Sequence, residues 1–484
     1  MNPARFLPAL LMAWPVLASL ALANPKVRAR AAHLLVVVGV VATVLAIWVA
    51  VPGAAGRTGD EWGLADLVRV DATARLFLVV INPIFFGVSV YVWNRVQTTP
   101  ELDAGLPRTV GLASLFLTAA NVALLANHLM ILWLALEATS LLAAPLIVRA
   151  GVPSSRRASW RFLLFSAVAL SLVLLGFHCL ARGMPGAPTF FIDELSELAP
   201  RVEHTWRKVG LALILLGLGT KLGLAPMFSW LPEAYDEAPP SVTALLAAVQ
   251  FNCALVALFR VVQVFRPGNE ALFAGMLLSM GVLSMVVSTV SIIATRNMKR
   301  LIAYASMNHA GVIAIGMGLS KGASFGLLLY VISNAFIKAI LFLTAGKIKA
   351  HYRTKDTRRI SSLIRDLPYS GVFLMVGTFA LLGFPPFGSF VGELLILSAL
   401  VSSGQLLVFG AFCLLITMTF VATGRTIFPM IWGAPQAQHT WPRQTFVSAA
   451  PKMTFLVALL VLGIYIPPVV SEMIQQVASS LEAP

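Results

Sequence analysis

Charged residues are scarce in this chain: Asp, Glu, Lys and Arg make up 11% of its 484 residues, against roughly 25% in a typical soluble protein. Hydrophobic residues account for 58%, and the mean hydropathy is +0.87. No polar stretch is long enough to form a separate soluble domain. The composition therefore excludes an ordinary soluble protein and predicts a single polytopic membrane domain over residues 1–484.

Cysteine is nearly absent, and motifs for bound cofactors are missing. Cys179, Cys253 and Cys413 lie in apolar segments without metal-ligand spacing, which argues against a disulfide framework or an iron–sulfur cluster. We find no Gly-rich nucleotide loop, haem-ligand pair or nucleophile elbow. We therefore expect no metal, no cofactor and no catalytic residue in this chain. Whether the chain serves an enzyme complex as a non-catalytic subunit stays open.

Acidic residues are also few, 20 against 35 Lys and Arg, which gives a net charge of +15. The basic residues lie mostly in short loops between apolar segments, so the charge encodes membrane orientation rather than nucleic-acid binding. Alternate loops differ about twofold in Lys and Arg content, and the richer set is expected to face the cytoplasm. The predicted location is the prokaryotic inner membrane, with both termini on the outer side.

Hydrophobic runs of roughly 20 residues are long enough to cross a bilayer as helices. Segmentation by hydropathy predicts about fourteen of them, at residues 6–23, 33–54, 73–95, 109–127, 128–149, 160–181, 208–231, 240–265, 270–295, 299–319, 322–346, 369–402, 404–430 and 448–471.

Four ionisable residues fall well inside these spans: Glu137, Lys221, Lys338 and Glu393. The other Lys and Arg residues are assigned to loops or helix ends. A charge at the centre of a lipid-facing helix costs roughly 2.5–3.5 kcal/mol, so these groups are expected to face a polar interior. A carboxylate that gains and loses an amine partner changes its proton affinity, which predicts a proton relay. Static salt bridges that fix helix packing are the alternative.

Two spans carry proline and glycine beside one of these charges. The first interruption runs over residues 217–226 near Lys221, with Pro232 after it, and the second over residues 383–388 near Glu393. Broken backbone at membrane depth survives only where protein or a cavity surrounds it. The pattern predicts broken seventh and twelfth helices, as in transporters with inverted repeats, and a simple kink is the alternative.

Weaker candidates are polar but have ordinary explanations. His309 could shuttle protons near Lys338, or it could be a buried histidine with a hydrogen bond. Gln250, Asn252 and Asn334 could hold water or serve as packing contacts between helices. The acidic turn over residues 233–237 could collect protons at an entrance or cap the next helix.

Several separated motifs resemble one known family. Residues 220–239, 299–306 and 390–394 resemble the seventh-, tenth- and twelfth-helix signatures of antiporter-like subunits of respiratory complex I, Mrp antiporters and membrane-bound hydrogenases. Residues 133–140 and 245–260 are most similar to hydrogenase-4 component F. The resemblance covers nearly the whole chain.

The resemblance implies two inverted five-helix repeats formed by spans 4–8 and 9–13. The corresponding segments are residues 1–108 for the flanking helices 1–3, 109–265 for the first repeat, 270–430 for the second, and 448–484 for the last helix and a short tail. About a dozen residues follow the last predicted span, so no long lateral helix is expected.

The resemblance also assigns roles in a proton relay. Glu137 matches the fifth-helix glutamate of the family, and Lys221 matches its paired lysine. His309, Lys338 and Glu393 match the titratable residues of the tenth, eleventh and twelfth helices.

The chain departs from the family pattern at several relay positions. Asn252 stands where complex I subunits have lysine, and Phe228, Tyr235, Tyr330 and Asn334 stand where relatives commonly have histidine. We expect Asn252, Tyr330 and Asn334 to support the relay as polar groups. Tyrosine and asparagine do not titrate near neutral pH, so slower, altered or lost transport relative to those relatives stays an open alternative.

The resulting expectation is a proton-translocating subunit of an energy-converting complex, driven by electron transfer in partner subunits. Its expected partners are other membrane and soluble subunits and lipids, with no nucleic acid. One alternative is a non-redox cation/proton antiporter, or a proton-driven inorganic-carbon uptake system with a large soluble zinc-containing partner. The other is a non-conducting scaffold. The sequence does not distinguish proton from sodium as the coupling ion.

Overall fold

The computed structural model describes residues 6–51, 67–98, 105–319, 322–434 and 446–482, and these are almost entirely helical. The predicted fold class, an all-α polytopic membrane protein, is confirmed. The main helices are α1 Leu7–Ala21, α2 Ala31–Ala50, α3 Ala72–Thr98, α4 Leu106–Leu125, α5 Leu129–Ile147, α6 Pro153–Gly183, α7a His204–Leu222, α7b Trp230–Glu237, α8 Pro240–Phe265, α9 Glu270–Ala294, α10 Met298–Gly318, α11 Ser324–Tyr352, α12a Pro368–Leu381, α12b Gly388–Ser402, α13 Leu406–Trp432, α14 Phe446–Ile464 and α15 Pro468–Glu482.

Within the described ranges, eleven of these helices are long and apolar enough to cross a membrane. The short α1 and the halves of the two broken spans complete the predicted set. Most bounds shift by a few residues from the prediction, and two shift by seven. Helix α6 begins at Pro153 rather than 160, and the last predicted span ends at Ile464 because Pro467 and Pro468 interrupt it.

Helix α15 follows that interruption as a separate amphipathic segment. Its buried residues Ile474, Val477, Ala478 and Leu481 recur at helical spacing on one face. The Glu482 carboxylate accepts hydrogen bonds from the backbone N–H groups of Gly322 and Ser324 at 3.0 and 3.2 Å. Helix α15 therefore packs over the beginning of α11.

The break in the seventh span lies where the sequence predicted it. Helix α7a ends at Leu222, and Gly223 follows with φ = +77°, a conformation that favours glycine. Side chains satisfy the freed backbone: the Trp230 indole donates to the Thr220 carbonyl at 3.0 Å, and the Ala225 N–H donates to Ser284 of α9 at 2.8 Å. The break is enclosed by protein, as membrane depth requires.

The twelfth span is broken in the same way. Helix α12a ends at Leu381, Gly383 has φ = +65°, and α12b begins at Gly388. The Ser389 hydroxyl donates to the Ala380 carbonyl at 2.7 Å across the break. Gly463 of α14 lies against the Pro386 carbonyl, where no Cβ would fit. The interrupted twelfth helix is therefore confirmed, and α14 packs against it.

The eighth span contains a distortion that the sequence did not indicate. Residues Leu246–Gln250 form a π-helical turn inside α8. Such turns remove one regular helical hydrogen bond and often occur at functional positions. Helices α8 and α11 are enclosed almost completely, whereas α13 is mostly exposed along its length. The interior of the protein therefore lies along α8 and α11.

Among the described residues, charged side chains pair with others of the same predicted face. On one face, Arg69 contacts Asp193 at 2.5 Å, and Arg260 forms a two-point contact with Asp71. On the other, Arg149 contacts Glu237 at 2.6 Å. Which of these faces meets the cytoplasm stays a prediction.

Candidate proton-relay site

Lys221 lies at the end of α7a, directly before the break, and is buried. Its ammonium group donates hydrogen bonds to the Ser140 hydroxyl on α5 and to the Ser166 hydroxyl on α6, the latter at 3.2 Å. It also lies 5.6 Å from the centre of the Phe162 ring. Two hydroxyls and an aromatic face therefore surround the amine, rather than a carboxylate.

Glu137 is on α5, one helical turn before Ser140, so both residues share a face of that helix. Its Oε2 atom is inaccessible and has no hydrogen-bond partner among the described residues. Across the same residues, Glu137 and Lys221 do not form an ion pair. The structure thus places the predicted pair in one neighbourhood, with Ser140 bound to the lysine.

The π-helical turn of α8 joins this neighbourhood to the centre of the protein. The Gln250 amide nitrogen lies 3.4 Å from the Thr139 hydroxyl and 3.5 Å from the Ser140 hydroxyl. Asn252 donates to the Ala248 carbonyl at 2.6 Å, while its Oδ1 atom is buried without a partner in the described part of the chain. Both amides therefore leave polar atoms directed into the interior.

Lys338 is fully buried in the middle of α11. Its ammonium nitrogen lies 3.6 Å from the centre of the Phe251 ring, which follows the π-helical turn. No hydrogen-bond partner for this nitrogen exists among the residues described. An ammonium above an aromatic face gains electrostatic stabilisation, but it keeps all three N–H groups available.

Helix α11 carries Tyr330, Asn334 and Lys338 at intervals of four residues, so they lie on one face. The ends of this stripe are separated by roughly 12 Å along the helix axis at 1.5 Å per residue. Asn334 Oδ1 and the adjacent Ser333 hydroxyl are buried without partners in the described ranges. The stripe is a row of polar groups through the enclosed interior.

The far end of the stripe meets His309 and Glu393. His309 Nδ1 of α10 forms a hydrogen bond with the Tyr330 hydroxyl. Tyr330 also packs against Gly392, the residue before Glu393 on α12b. The Glu393 carboxylate is buried and lies against Gly383 of the break, where an added Cβ would displace it. Tyr330 therefore contacts His309 through its hydroxyl and α12b, next to Glu393, through its backbone and Cβ.

Sequence reasoning missed a polar cluster beside His309. The Asn308 amide donates to Ser288 at 3.1 Å and lies 3.4 Å from both Thr289 and Thr419. The two threonine hydroxyls are 2.8 Å apart. These side chains come from α9, α10 and α13, and isolated Ser and Thr residues in apolar spans give no pattern that would have shown their meeting.

Several basic residues assigned to loops or helix ends are buried. Lys452 is enclosed in α14, with its amine 4.9 Å from the centre of the Phe373 ring. Arg260 is enclosed in α8, and Lys299 near the start of α10 donates to the Asp236 and Ala238 carbonyls at 3.0 and 2.8 Å. Burial is therefore not restricted to Glu137, Lys221, Lys338 and Glu393, although Lys299 and Lys452 lie near helix ends as the sequence predicted. A residue near a helix end is not necessarily exposed, because neighbouring helices can cover that end.

The acidic turn over residues 233–237 is bound by basic residues. Lys355 contacts Asp236 at 2.7 Å and Glu237 at 3.2 Å, and Arg300 contacts Asp236 at 3.2 Å. Burial opposes ionisation of Glu237, but Lys355 and hydrogen bonds from Ser154 and Arg149 outweigh it, so its pKa is lowered to about 2. Glu237 is therefore a permanent anion at physiological pH and not a proton donor.

Aromatic residues occupy three positions where relatives were expected to have histidine: Phe228, Tyr235 and Tyr330. Tyr235 is enclosed between Trp230 and Phe342, with ring centres 6.3 and 5.3 Å away. Phe342 follows Lys338 by one turn on α11. Tyr235 thus joins α7b to α11 by packing. Over the described ranges, no group of three or more His, Cys, Asp or Glu side chains could hold a metal ion.

Comparison with known proteins defines the class. Residues 126–420, more than half of the chain, match the family model "NADH:quinone oxidoreductase/Mrp antiporter, TM". The chain belongs to this family: it is an antiporter-like membrane subunit related to those of complex I, Mrp antiporters and membrane-bound hydrogenases.

Individual relatives are similar over nearly the whole chain. A hydrogenase-4 component F homologue from Methylacidiphilum infernorum (isolate V4) is 28% identical over 422 residues, which cover 84% of this chain and 87% of that protein. A chain of the archaeal membrane-bound sulfane sulfur reductase has a TM-score of 0.87 at 22% identity and covers 98% of this chain and 97% of its own. A chain of the Mrp complex from Dietzia sp. DQ12-45-1b has a TM-score of 0.86 at 19% identity, with coverage of 100% and 98%. These structures share the fold, and their proteins are parts of multisubunit membrane complexes.

Proposed function

We propose that this chain translocates protons within a multisubunit energy-converting membrane complex. The proposed relay consists of Glu137, Lys221, Lys338, His309 and Glu393, with Asn252, Tyr330 and Asn334 as supporting polar groups. The observation that supports it most is the row Tyr330–Asn334–Lys338 on α11, because this row lies between two groups of titratable side chains.

Each end of the row meets a different group. At one end, Lys338 lies over Phe251, and the adjacent Gln250 reaches Thr139 and Ser140, the hydroxyl that binds Lys221. At the other end, Tyr330 bonds His309 and packs beside Glu393. Protons would enter near Glu137 and Lys221 and leave past Glu393.

The drive in this proposal is electrostatic. A change of charge at one group shifts the proton affinity of the next. Moving one charge against 100 mV costs roughly 2.3 kcal/mol, and one pKa unit corresponds to about 1.4 kcal/mol. A swing of about two pKa units per step is therefore sufficient. Lys338 is suited to such a swing because no carboxylate among the described residues holds its proton. Electron transfer in partner subunits would supply the initial change.

The experiment is proton uptake into proteoliposomes under an imposed potassium diffusion potential. Glu137→Gln and Lys221→Ala are expected to abolish uptake while leaving co-purification with the neighbouring subunits unchanged. The matched controls are Glu194→Gln and Lys208→Ala, which remove the same charges at exposed positions. Lys208 is on the same helix as Lys221. Full uptake by both relay variants would refute the relay, and failure of assembly would point to the static packing role instead.

A further inference from the structure

An open groove of about 840 Å³ lies between the end of α9 and the second half of α13, outside the proposed relay. One wall is apolar: Ile293 is the last residue but one of α9, and Met418, Val421 and Pro429 come from one face of α13. Ile293, Met418 and Val421 are exposed, at 57%, 40% and 58%. Such surface on a membrane-spanning helix pair is suited to hydrocarbon.

Three arginines line the same groove: Arg296 directly after α9, Arg358 in the loop after α11, and Arg425 on α13. All three are exposed, and none of their guanidinium groups has a hydrogen bond or ion pair with the described residues. The nearby Asp356 carboxylate instead accepts from the Arg358 backbone N–H at 3.0 Å and lies 3.8 Å from Arg359. The groove therefore combines an apolar wall with three positive charges that have no counterion among the described residues.

The arginines are held in place by backbone contacts. Asn297 and Asp356 form an isolated antiparallel bridge, and the Thr357 N–H and hydroxyl both donate to the Arg296 carbonyl, at 2.9 and 3.1 Å. Arg296 and Arg358 thus belong to two segments that are fixed side by side. Arg425 follows Met418 and Val421 on the same face of α13, two turns beyond the first and one beyond the second.

We infer that this groove binds an anionic phospholipid, with the phosphodiester at the three arginines and the acyl chains along α9 and α13. Guanidinium groups match phosphate oxygens in geometry and charge. Basic pockets between membrane helices on the predicted cytoplasmic side are suited to anionic head groups. A purely polar ligand would leave the apolar wall unused, and a purely apolar one would leave the charges without a counterion.

The test is lipid binding to the purified full chain in detergent, followed by native mass spectrometry during titration with dioleoylphosphatidylglycerol. Arg296→Gln with Arg425→Gln is expected to weaken binding roughly 30-fold, from about 1 kcal/mol per basic residue near an anionic lipid. The control, Arg156→Gln with Arg157→Gln, removes two exposed arginines of the same predicted face from α6 and should leave binding unchanged. If the double variant does not fold, Arg425→Gln alone should weaken binding several-fold.

Each contrary result overturns the inference. Equal binding of phosphatidylglycerol and phosphatidylcholine, unaffected by the arginine substitutions, would show nonspecific adsorption. Displacement of the lipid by millimolar inorganic phosphate would identify a free-anion site. A photo-reactive residue at Val421 should label lipid in the intact complex, and capture of a polypeptide there would make the groove a subunit interface.

Discussion

The ammonium nitrogen of Lys338 lies 3.6 Å from the centre of the Phe251 ring and has no hydrogen-bond partner among the described residues. A cation above an aromatic ring in a dry environment is stabilised by about 2 kcal/mol. Lys338 therefore has an electrostatic partner that neither accepts nor donates its proton.

We predict that Phe251→Leu slows proton uptake about tenfold, because the protonated lysine loses its main stabilising contact. The measurement is the initial rate of uptake in proteoliposomes. Phe259→Leu is the matched control, since Phe259 is also buried in α8 but packs on Phe77 at 5.9 Å. Equal rates in the two variants would mean that Phe251 only fills space.

The hydrogen bond between His309 and Tyr330 provides a second test. Tyr330→Phe keeps the ring but removes the hydroxyl that bonds His309. We expect uptake to fall by roughly 10²-fold, as for loss of one positioned proton-transfer group, with little change in thermal stability. Tyr235→Phe is the control, because that buried hydroxyl has no hydrogen bond within the described ranges. An unchanged rate for Tyr330→Phe would remove Tyr330 from the relay.

Gly383 tests the geometry of the twelfth-helix break. Its φ of +65° disfavours any Cβ, and a Cβ there would meet the Glu393 carboxylate. Gly383→Ala is expected to cost about 1–2 kcal/mol of backbone strain and to abolish uptake by displacing Glu393.

Gly404→Ala separates backbone strain from displacement of Glu393. Gly404 also has a positive φ, of +73°, but an added Cβ there would meet no other atom of the described residues. This variant should lose similar stability by thermal unfolding and retain uptake. Comparable uptake by both alanine variants would show that the position of Glu393 is not critical.

Asp71 and Arg260 form a two-point ion pair at the start of α3, with one N–O distance of 2.8 Å. Burial opposes ionisation of Asp71, but Arg260, the Ala74 N–H and Arg69 outweigh it and lower its pKa to about 2 from 3.8. A lowered pKa stabilises the folded state at pH above the unfolded value, and this stabilisation is lost as pH falls through the folded value. From that shift, Asp71→Asn should cost about 2 kcal/mol at pH 7.

The thermal unfolding midpoint of the detergent-solubilised chain measures this effect. The deficit of Asp71→Asn should be constant from pH 7 to about pH 4 and then shrink toward pH 2. Asp193→Asn is the control, because its side chain is 62% exposed and its pair with Arg69 is expected to contribute about 0–1 kcal/mol. Equal deficits in both variants would contradict a special role for the buried pair.

The hydropathy of the sequence was sufficient to predict the membrane-spanning helices, because each span must satisfy its own backbone hydrogen bonds in hydrocarbon. It also located both breaks, since proline and glycine impose local constraints that do not depend on neighbours. It failed at Pro467–Pro468, where an apolar run continued past the end of the helix. The π-helical turn at Leu246–Gln250 has no comparable local signal.

The sequence was sufficient to choose the main candidate residues of the site, but not to predict which side chains they contact. A buried charge is conspicuous in an apolar span, so Glu137, Lys221, Lys338 and Glu393 could be selected from the sequence. Lys452 was missed because it is near the start of α14, and only the packing of neighbouring helices encloses it. Its burial depends on residues far away in the chain.

By itself, the sequence determined that this protein is a helical membrane protein, where its backbone breaks, and which titratable residues stand within long apolar runs, because these properties follow from local composition and spacing. Only the tertiary structure decided that Lys221 binds Ser140, 81 residues earlier, and that Lys338 lies over Phe251. It also brought three arginines with no counterion in the described part of the chain to one groove. Such contacts depend on how the helices rotate and pack against one another. The free energy of that packing comes from many residues far apart in the chain, so no local sequence pattern predicts it.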